Sequence, residues 1–406
     1  MQKRTALSCL LLMAFFRPLG ADESPISLEE AVSTALRNNP EIIRAGQELE
    51  AARGRRLQLG AFSFPELSFS REGMAFREVG GETEINLGIE QSLEFPGKRS
   101  LRRESGRLEE EIFAAELDRV VVRITAEVKK AYFQTAYFQK AIAGRESIAE
   151  VLKRYQDISI LRAQSGQVSA LDVLKGRLEL VQLQGEIIEA RRRWRESALA
   201  LSLLIGGEGQ EAPAVSASEL TFAPLDKELP ELKREAASRP SLRAAAARLA
   251  QAEAGLRLAR KNGLPDFRVG LFYPSLRGSS WGFEVGLTLP LWRDKINGER
   301  EEAEALSRAL TTARQAREKR VFSLLRSAYE SVKATEERLT LFERSLLPEI
   351  DGILELGLSD YQYGKIDSLH LFDVLRTYKA TQLEYLAALL DHRLSLVDLE
   401  SAGESD

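Results

Sequence analysis

The chain has 406 residues, room for one large core or two repeats of a domain, and its 57 Lys and Arg stand against 61 Asp and Glu. Neither sign dominates, so there is no basic footprint for nucleic acid. Thirteen prolines suit long uninterrupted helices, and a single cysteine excludes disulfides and cysteine-based metal sites.

Lys3 and Arg4, followed by the apolar run Leu7–Phe16, read as a signal peptide over residues 1–20, with Cys9 inside it. Beyond it no apolar run approaches the ~20 residues of a membrane helix, so any membrane role must come from strands. Ser27-Leu28-Glu29-Glu30 is a capping box, predicting a helix from Leu28 to just before Pro40. A second helix is expected from Pro40 to about Ala61. After Pro65, Leu67 and Phe69 alternate with Glu66, Ser68 and Ser70, a short strand; Arg71–Thr83 is a polar loop. Within Glu84–Phe95 apolar residues from Ile85 to Ile89 alternate with Asn86 and Gly88, a second strand closed by Pro96-Gly97.

From Lys98 to about Gln164 there is no proline. Leu117, Val121, Ile124, Val128, Ala131, Thr135, Phe138 and Ile142 step by four and three, a heptad seam. At 1.5 Å per residue such a helix is on the order of 100 Å long, too long for a compact globular domain. Gly166 breaks it, and a return helix follows from about Ser169 to Leu204.

Then the pattern repeats at an offset of 200: Arg239-Pro240 matches Asn39-Pro40, and Leu264-Pro265 matches Phe64-Pro65. Phe267, Val269, Leu271 and Tyr273 alternate with Arg268, Gly270 and Phe272. Trp281, Phe283, Val285, Leu287 and Leu289 alternate with Gly282, Glu284, Gly286 and Thr288. A long helix is expected from about Asn297 to Leu358, interrupted near Pro348; Gly364 matches Gly166, and a last helix runs from about Leu369 to Glu400. The domain reading is a first repeat over residues 21–205, a connector over 206–230, a second repeat over 231–402 and a tail over 403–406.

Four amphipathic strands cannot close on themselves, because membrane barrels begin at about eight strands and open edges are forbidden in lipid. The strands must be pooled with other copies, two giving eight and three giving twelve. The apolar sets, with Phe283, Val285 and Leu287 at their centre, are expected to face lipid; the small polar set suits a water-filled lumen. Trp281, Trp292, Phe272 and Tyr273 stand near strand ends, as interfacial aromatics do. No catalytic, cofactor-binding or metal-ligating constellation is visible, so the chain does not read as an enzyme. The two histidines, His370 and His392, are too far apart for a helical pair, and His392 is expected at a surface or interface.

Asn39-Pro40, Pro96-Gly97-Lys98-Arg99, Gly166-Gln167-Val168-Ser169-Ala170-Leu171-Asp172-Val173 and Tyr361-Gln362-Tyr363-Gly364-Lys365-Ile366-Asp367, in this order, resemble the TolC family of outer-membrane efflux channels. The stretch Glu94–Arg99 is similar to its heavy-metal cation branch, of the CzcC type. The resemblance implies a mainly α fold with membrane β: a homotrimer whose twelve-stranded barrel in the outer membrane of a Gram-negative-type cell continues into a long periplasmic helical barrel. It also implies an exit duct without cofactors, working with a periplasmic adaptor and an inner-membrane pump of the RND type, in contact with outer-membrane lipid and not with nucleic acid. Cargo is open between metal cations, drugs and secreted proteins, and the competing class is a periplasmic coiled-coil scaffold or adaptor. The helical turns at Gly166 and Gly364 would form the periplasmic rim, with Asp172, Tyr361, Asp373 and His370 where the family has gate residues. Ile366 and His370 depart from the family's basic and acidic residues there; helix capping is the plainer reading of Asp172 and Asp373.

Overall fold

The computed structural model describes residues 25–72, 84–207, 213–273 and 281–404. The signal segment and both strand-connecting loops lie outside the described residues. In chain order the elements are α1 (Leu28–Asn38), α2 (Pro40–Gly60), β1 (Glu66–Glu72), β2 (Glu84–Leu93), α3 (Lys98–Gln164), α4 (Ala170–Leu204), α5 (Leu229–Ala236), α6 (Pro240–Asn262), β3 (Asp266–Tyr273), β4 (Gly282–Thr288), α7 (Arg293–Leu341), α8 (Leu347–Gln362) and α9 (Ser368–Glu400). A π-helical turn, Phe342–Leu346, joins α7 to α8 just ahead of Pro348. The expected interruption is therefore real.

Local chemistry explains the boundaries. Ser27 caps α1 and Glu30 reaches back to it, closing the capping box. Asn39 caps α2 by accepting from the Glu41 amide, and its own amide group donates to the Leu204 carbonyl at 2.8 Å. That contact fixes the start of α2 to the end of α4. The 67-residue α3 is the spine, packing on α1, α2, α4, α6 and α9. Along its heptad seam Ile124, Val128, Ala131 and Thr135 are fully or nearly fully buried.

Three apolar cores follow the long axis. One joins α1, α3, α4 and α9 around Ile124, Tyr132, Leu201 and Leu389. A second, around Tyr155, Tyr361 and Leu371, lies toward the helical turns. A third joins α5, α7 and the end of α9 around Leu325 and Val332.

Two sequence readings change here. Over its described residues 213–230 the connector is a packed strap. Val215 and Leu220 are buried in the first core, Val215 bridges Ile26, and the Tyr132 hydroxyl donates to the Ile26 carbonyl at 3.0 Å. Its last residues already open α5, because Pro230 sits in a first turn, where its missing N–H costs nothing. The described tail residues, 403 and 404, are also anchored. Glu404 is buried and accepts from the Ser241 amide at 3.1 Å and from its hydroxyl at 2.8 Å. It supplies from afar the cap that Arg239 does not give α6.

Candidate functional site

The strands form one antiparallel sheet in the order β1-β2-β3-β4. Its register places Leu67 opposite Ile89, Ile89 opposite Leu271, and Leu271 opposite Phe283. Phe69, Leu87, Val269, Val285, Phe267 and Leu287 fill the neighbouring rows of the same face. Among the described residues nothing covers this face: Phe283 is 77% exposed, Val285 62% and Leu287 51%. The opposite face carries Ser68, Asn86, Gly88, Glu90, Arg268, Gly270, Glu284 and Gly286. Arg268 meets Glu90 there at 3.4 Å. Phe272 belongs to this polar face too, which corrects its placement among the interfacial aromatics. Its ring lies over Gly282, where a Cβ would collide with it. Tyr273 and Trp281 do pair at the strand end, with ring centroids 5.5 Å apart. Among the described residues β1 and β4 each have a partner on one side only.

The turn after β2 staples sheet to spine. Gly97 has φ 95, a left-handed conformation that glycine adopts without strain. Lys98 is buried and donates to the Leu264 carbonyl and to Asp266, both at 2.9 Å. Asp266 also accepts from the Phe95 amide at 2.7 Å. Arg99 donates to the Gly60 carbonyl at the end of α2 and stacks on the Phe62 ring. Pro96-Gly97-Lys98-Arg99 is thus a joint between the two halves.

At the far end, both helical turns have the same construction. Gly166 and Gly364 have φ 74 and 75. Gln167 N–H donates to the Arg162 carbonyl, and Lys365 N–H to that of Asp360, the closing bond of a Schellman turn. Three residues after each glycine stands the cap of the next helix, Ser169 for α4 and Asp367 for α9. Asp172 completes a capping box with Ser169. His370 takes the equivalent place on α9; its backbone and ring Nδ1 both meet Asp367, at 2.9 and 2.7 Å. The carboxylate that sits at the third helical position in the first turn has moved to the cap in the second. Those hydrogen bonds hold the Asp367 carboxyl below the usual range. Lys365 pairs with Asp360 inside its own turn, and Ile366 packs on the core of this end.

Tyr361 is fully buried between α8 and α3. Its hydroxyl meets Ser159 at 2.9 Å, its carbonyl accepts from Arg162 at 2.6 Å, and its ring lies 4.9 Å from that of Tyr155. Tyr155 in turn donates to the Asp172 carbonyl at 3.3 Å, and burial pushes its hydroxyl up to about 12. Tyr361 and Asp172 are therefore linked through Tyr155, while the Asp172 side chain stays on its cap. Asp373 and His370 are exposed on α9, apart from that chain of contacts. The sequence reading missed Ser159, Arg162 and Tyr155. Arg162 was findable as the basic residue in the last turn before a C-terminal glycine.

His392 is not at a surface. It is fully buried, with Nε2 donating to the Ala223 carbonyl at 2.8 Å and Nδ1 3.1 Å from the Thr335 hydroxyl. Among the described residues no group of His, Cys, Asp and Glu is arranged to hold a metal ion, and no helix is long and apolar enough to cross a membrane.

Comparison with known proteins matches this geometry to a family. The profile of the outer membrane efflux protein family matches residues 31–207 and 232–403. The chain is 24% identical over 374 residues to the cobalt-zinc-cadmium resistance protein CzcC of Cupriavidus metallidurans, covering 90% of this chain and 87% of CzcC. It is 25% identical over 322 residues to the pyoverdine export outer membrane protein OpmQ of Pseudomonas putida, covering 70% of this chain and 66% of OpmQ. The outer-membrane channel OprN superposes with a TM-score of 0.78 at 20% identity, over 93% of this chain and 90% of OprN. Spine, sheet and both turns lie within the matched stretches, and the chain belongs to the outer membrane efflux protein family, an exit duct of the outer membrane.

Proposed function

We propose that three copies assemble into the duct and that it carries divalent metal cations such as cobalt, zinc or cadmium, handed on by a periplasmic adaptor and an inner-membrane pump of the RND type. The observation that carries the assembly is the four-stranded sheet, with one exposed apolar face and an unpaired edge at β1 and at β4. Joining β4 of one copy to β1 of the next removes both edges, as lipid requires. Three copies give twelve strands, with Phe283, Val285 and Leu287 toward lipid and the glycine-rich face toward the lumen.

The cargo reading is supported by the likeness to CzcC over most of both chains. At the periplasmic end the turns at Gly166 and Gly364 form the rim. Tyr361 holds α8 against α3 in the closed state, Asp172 steadies the neighbouring turn, and Asp373 and His370 face the entrance. Carboxylates ringing an aqueous entrance favour cations.

The test is a deletion strain of the native host. Loss of the chain should lower tolerance to zinc, cobalt or cadmium, with restoration by the intact copy. Unchanged metal tolerance together with lost siderophore export would favour the second reading, for which the likeness to OpmQ speaks.

A further inference from the structure

We infer that the outer seam between α2 and α3 is a headgroup site for an anionic phospholipid of the periplasmic leaflet. This rests on the barrel orientation proposed above. The end of α2 and the start of α3 enclose a cleft of about 690 Å³, lined by Arg56, Gly60, Arg99, Arg103 and Arg107. Its one lining acid, Glu104, is engaged by Arg257 at 2.7 Å. Arg56 and Arg107 are held by Glu110 and Glu111. Arg99 has only the Gly60 carbonyl and the Phe62 ring, and Arg103 has no hydrogen-bond or ion-pair partner among the described residues. Two guanidinium groups thus stand without a carboxylate at the mouth of one cleft. Guanidinium forks match phosphate oxygens in pairs.

The direction of the cleft follows from the helix. Lys98 bonds Asp266 and Arg102 bonds Glu94, acids that continue the polar-face alternation of β3 and β2. At 100° per residue Arg107 lies about 180° around α3 from Lys98, and Arg103 about 140°. The cleft therefore opens on the side of the apolar sheet face. Between it and that face stand Phe62, 59% exposed, and Phe64, 94% exposed. Aromatic residues, then a cluster of arginines, just beyond an apolar band is the order in which acyl chains, interface and headgroups meet a membrane protein. Free phosphate would satisfy the arginines but leave the aromatic and aliphatic border unused.

The test titrates the detergent-purified full chain with phosphatidylglycerol, phosphatidylcholine and inorganic phosphate, read by native mass spectrometry and by melting temperature. Phosphatidylglycerol alone should bind and raise the melting temperature. Arg103→Gln, which loses no internal partner, should weaken that binding about fivefold, and the Arg99→Gln/Arg103→Gln pair further, at roughly the same factor per arginine. An equal response to phosphatidylcholine, or to inorganic phosphate, overturns the lipid assignment, as does unchanged binding in Arg103→Gln. Membrane fractionation separates the two readings: a chain absent from the outer membrane defeats the duct itself. A chain present there without lipid preference defeats only this site.

Discussion

His392 shows how a residue's role is set by what surrounds it. Burial disfavours its charged form and holds its pKa below the ordinary value near 6.5; the Ala223 carbonyl and Glu336 oppose that shift and Arg393 adds to it. The Ala223 carbonyl needs a donor, so Nε2 carries the proton and the neutral ring fits. A group with a depressed folded pKa contributes stability above its unfolded pKa. That stability is lost as pH falls from about 6.5 through the folded value. The melting temperature of the detergent-purified protein should therefore drop between about pH 7 and pH 5. The drop should be smaller in His392→Gln, whose amide can still donate to Ala223. Identical pH profiles would remove His392 from the account. Sequence pattern could not reveal this, because the Ala223 carbonyl lies 169 residues away in the strap.

At the scale of elements, the strands were legible because a period of two needs only local alternation. Their boundaries with the helices were legible because proline and glycine act locally: Pro40, Gly97, Gly166 and Gly364 each end or begin an element as expected. The alternation already put Phe272 with Arg268 and Gly270, and the register opposite Gly88 and Gly282 agrees; only its grouping with the interfacial aromatics, made on nearness to a strand end, is revised. The same register predicts the effect of Val285→Arg. On the lipid face near the bilayer midplane it should cost ~2–4 kcal/mol and impair assembly. Mass measurement in detergent should find the unaltered chain as a trimer and the variant as lower species. A variant trimer as abundant as the unaltered one would reverse the assignment of faces.

For the whole molecule, the gate proposed at the periplasmic end would open by moving α8 and α9 relative to α3. The π-helical turn precedes α8 and Pro348 lies in its first turn, while Tyr361, Ser159 and Arg162 tie its far end to α3. Tyr361→Phe deletes the buried hydrogen bond to Ser159, a loss of about 0.5–1.5 kcal/mol on the closed state. Combined with Asp172→Ala, it should raise the resting conductance in planar bilayers, and Asp373→Ala should lower cation preference. If conductance and selectivity stay unchanged in all of these, the residues are helix caps and packing, and the gate lies elsewhere.

Repeat, strand faces, long spine and glycine turns were determined by the sequence alone, because periodicity and backbone stereochemistry act over a few residues. The same holds for the capping role of Asp172, whose partner Ser169 is three residues away. The tertiary structure decided the remainder, where partners are distant in the chain. It made Tyr361 a buried tie to Ser159 and His392 a core residue. It turned the connector into a strap and set Glu404 as the cap of α6. Tyr361, His392 and Glu404 are buried polar groups that must find a partner, and the strap buries Val215 and Leu220; only the packing of distant segments determines what is within reach.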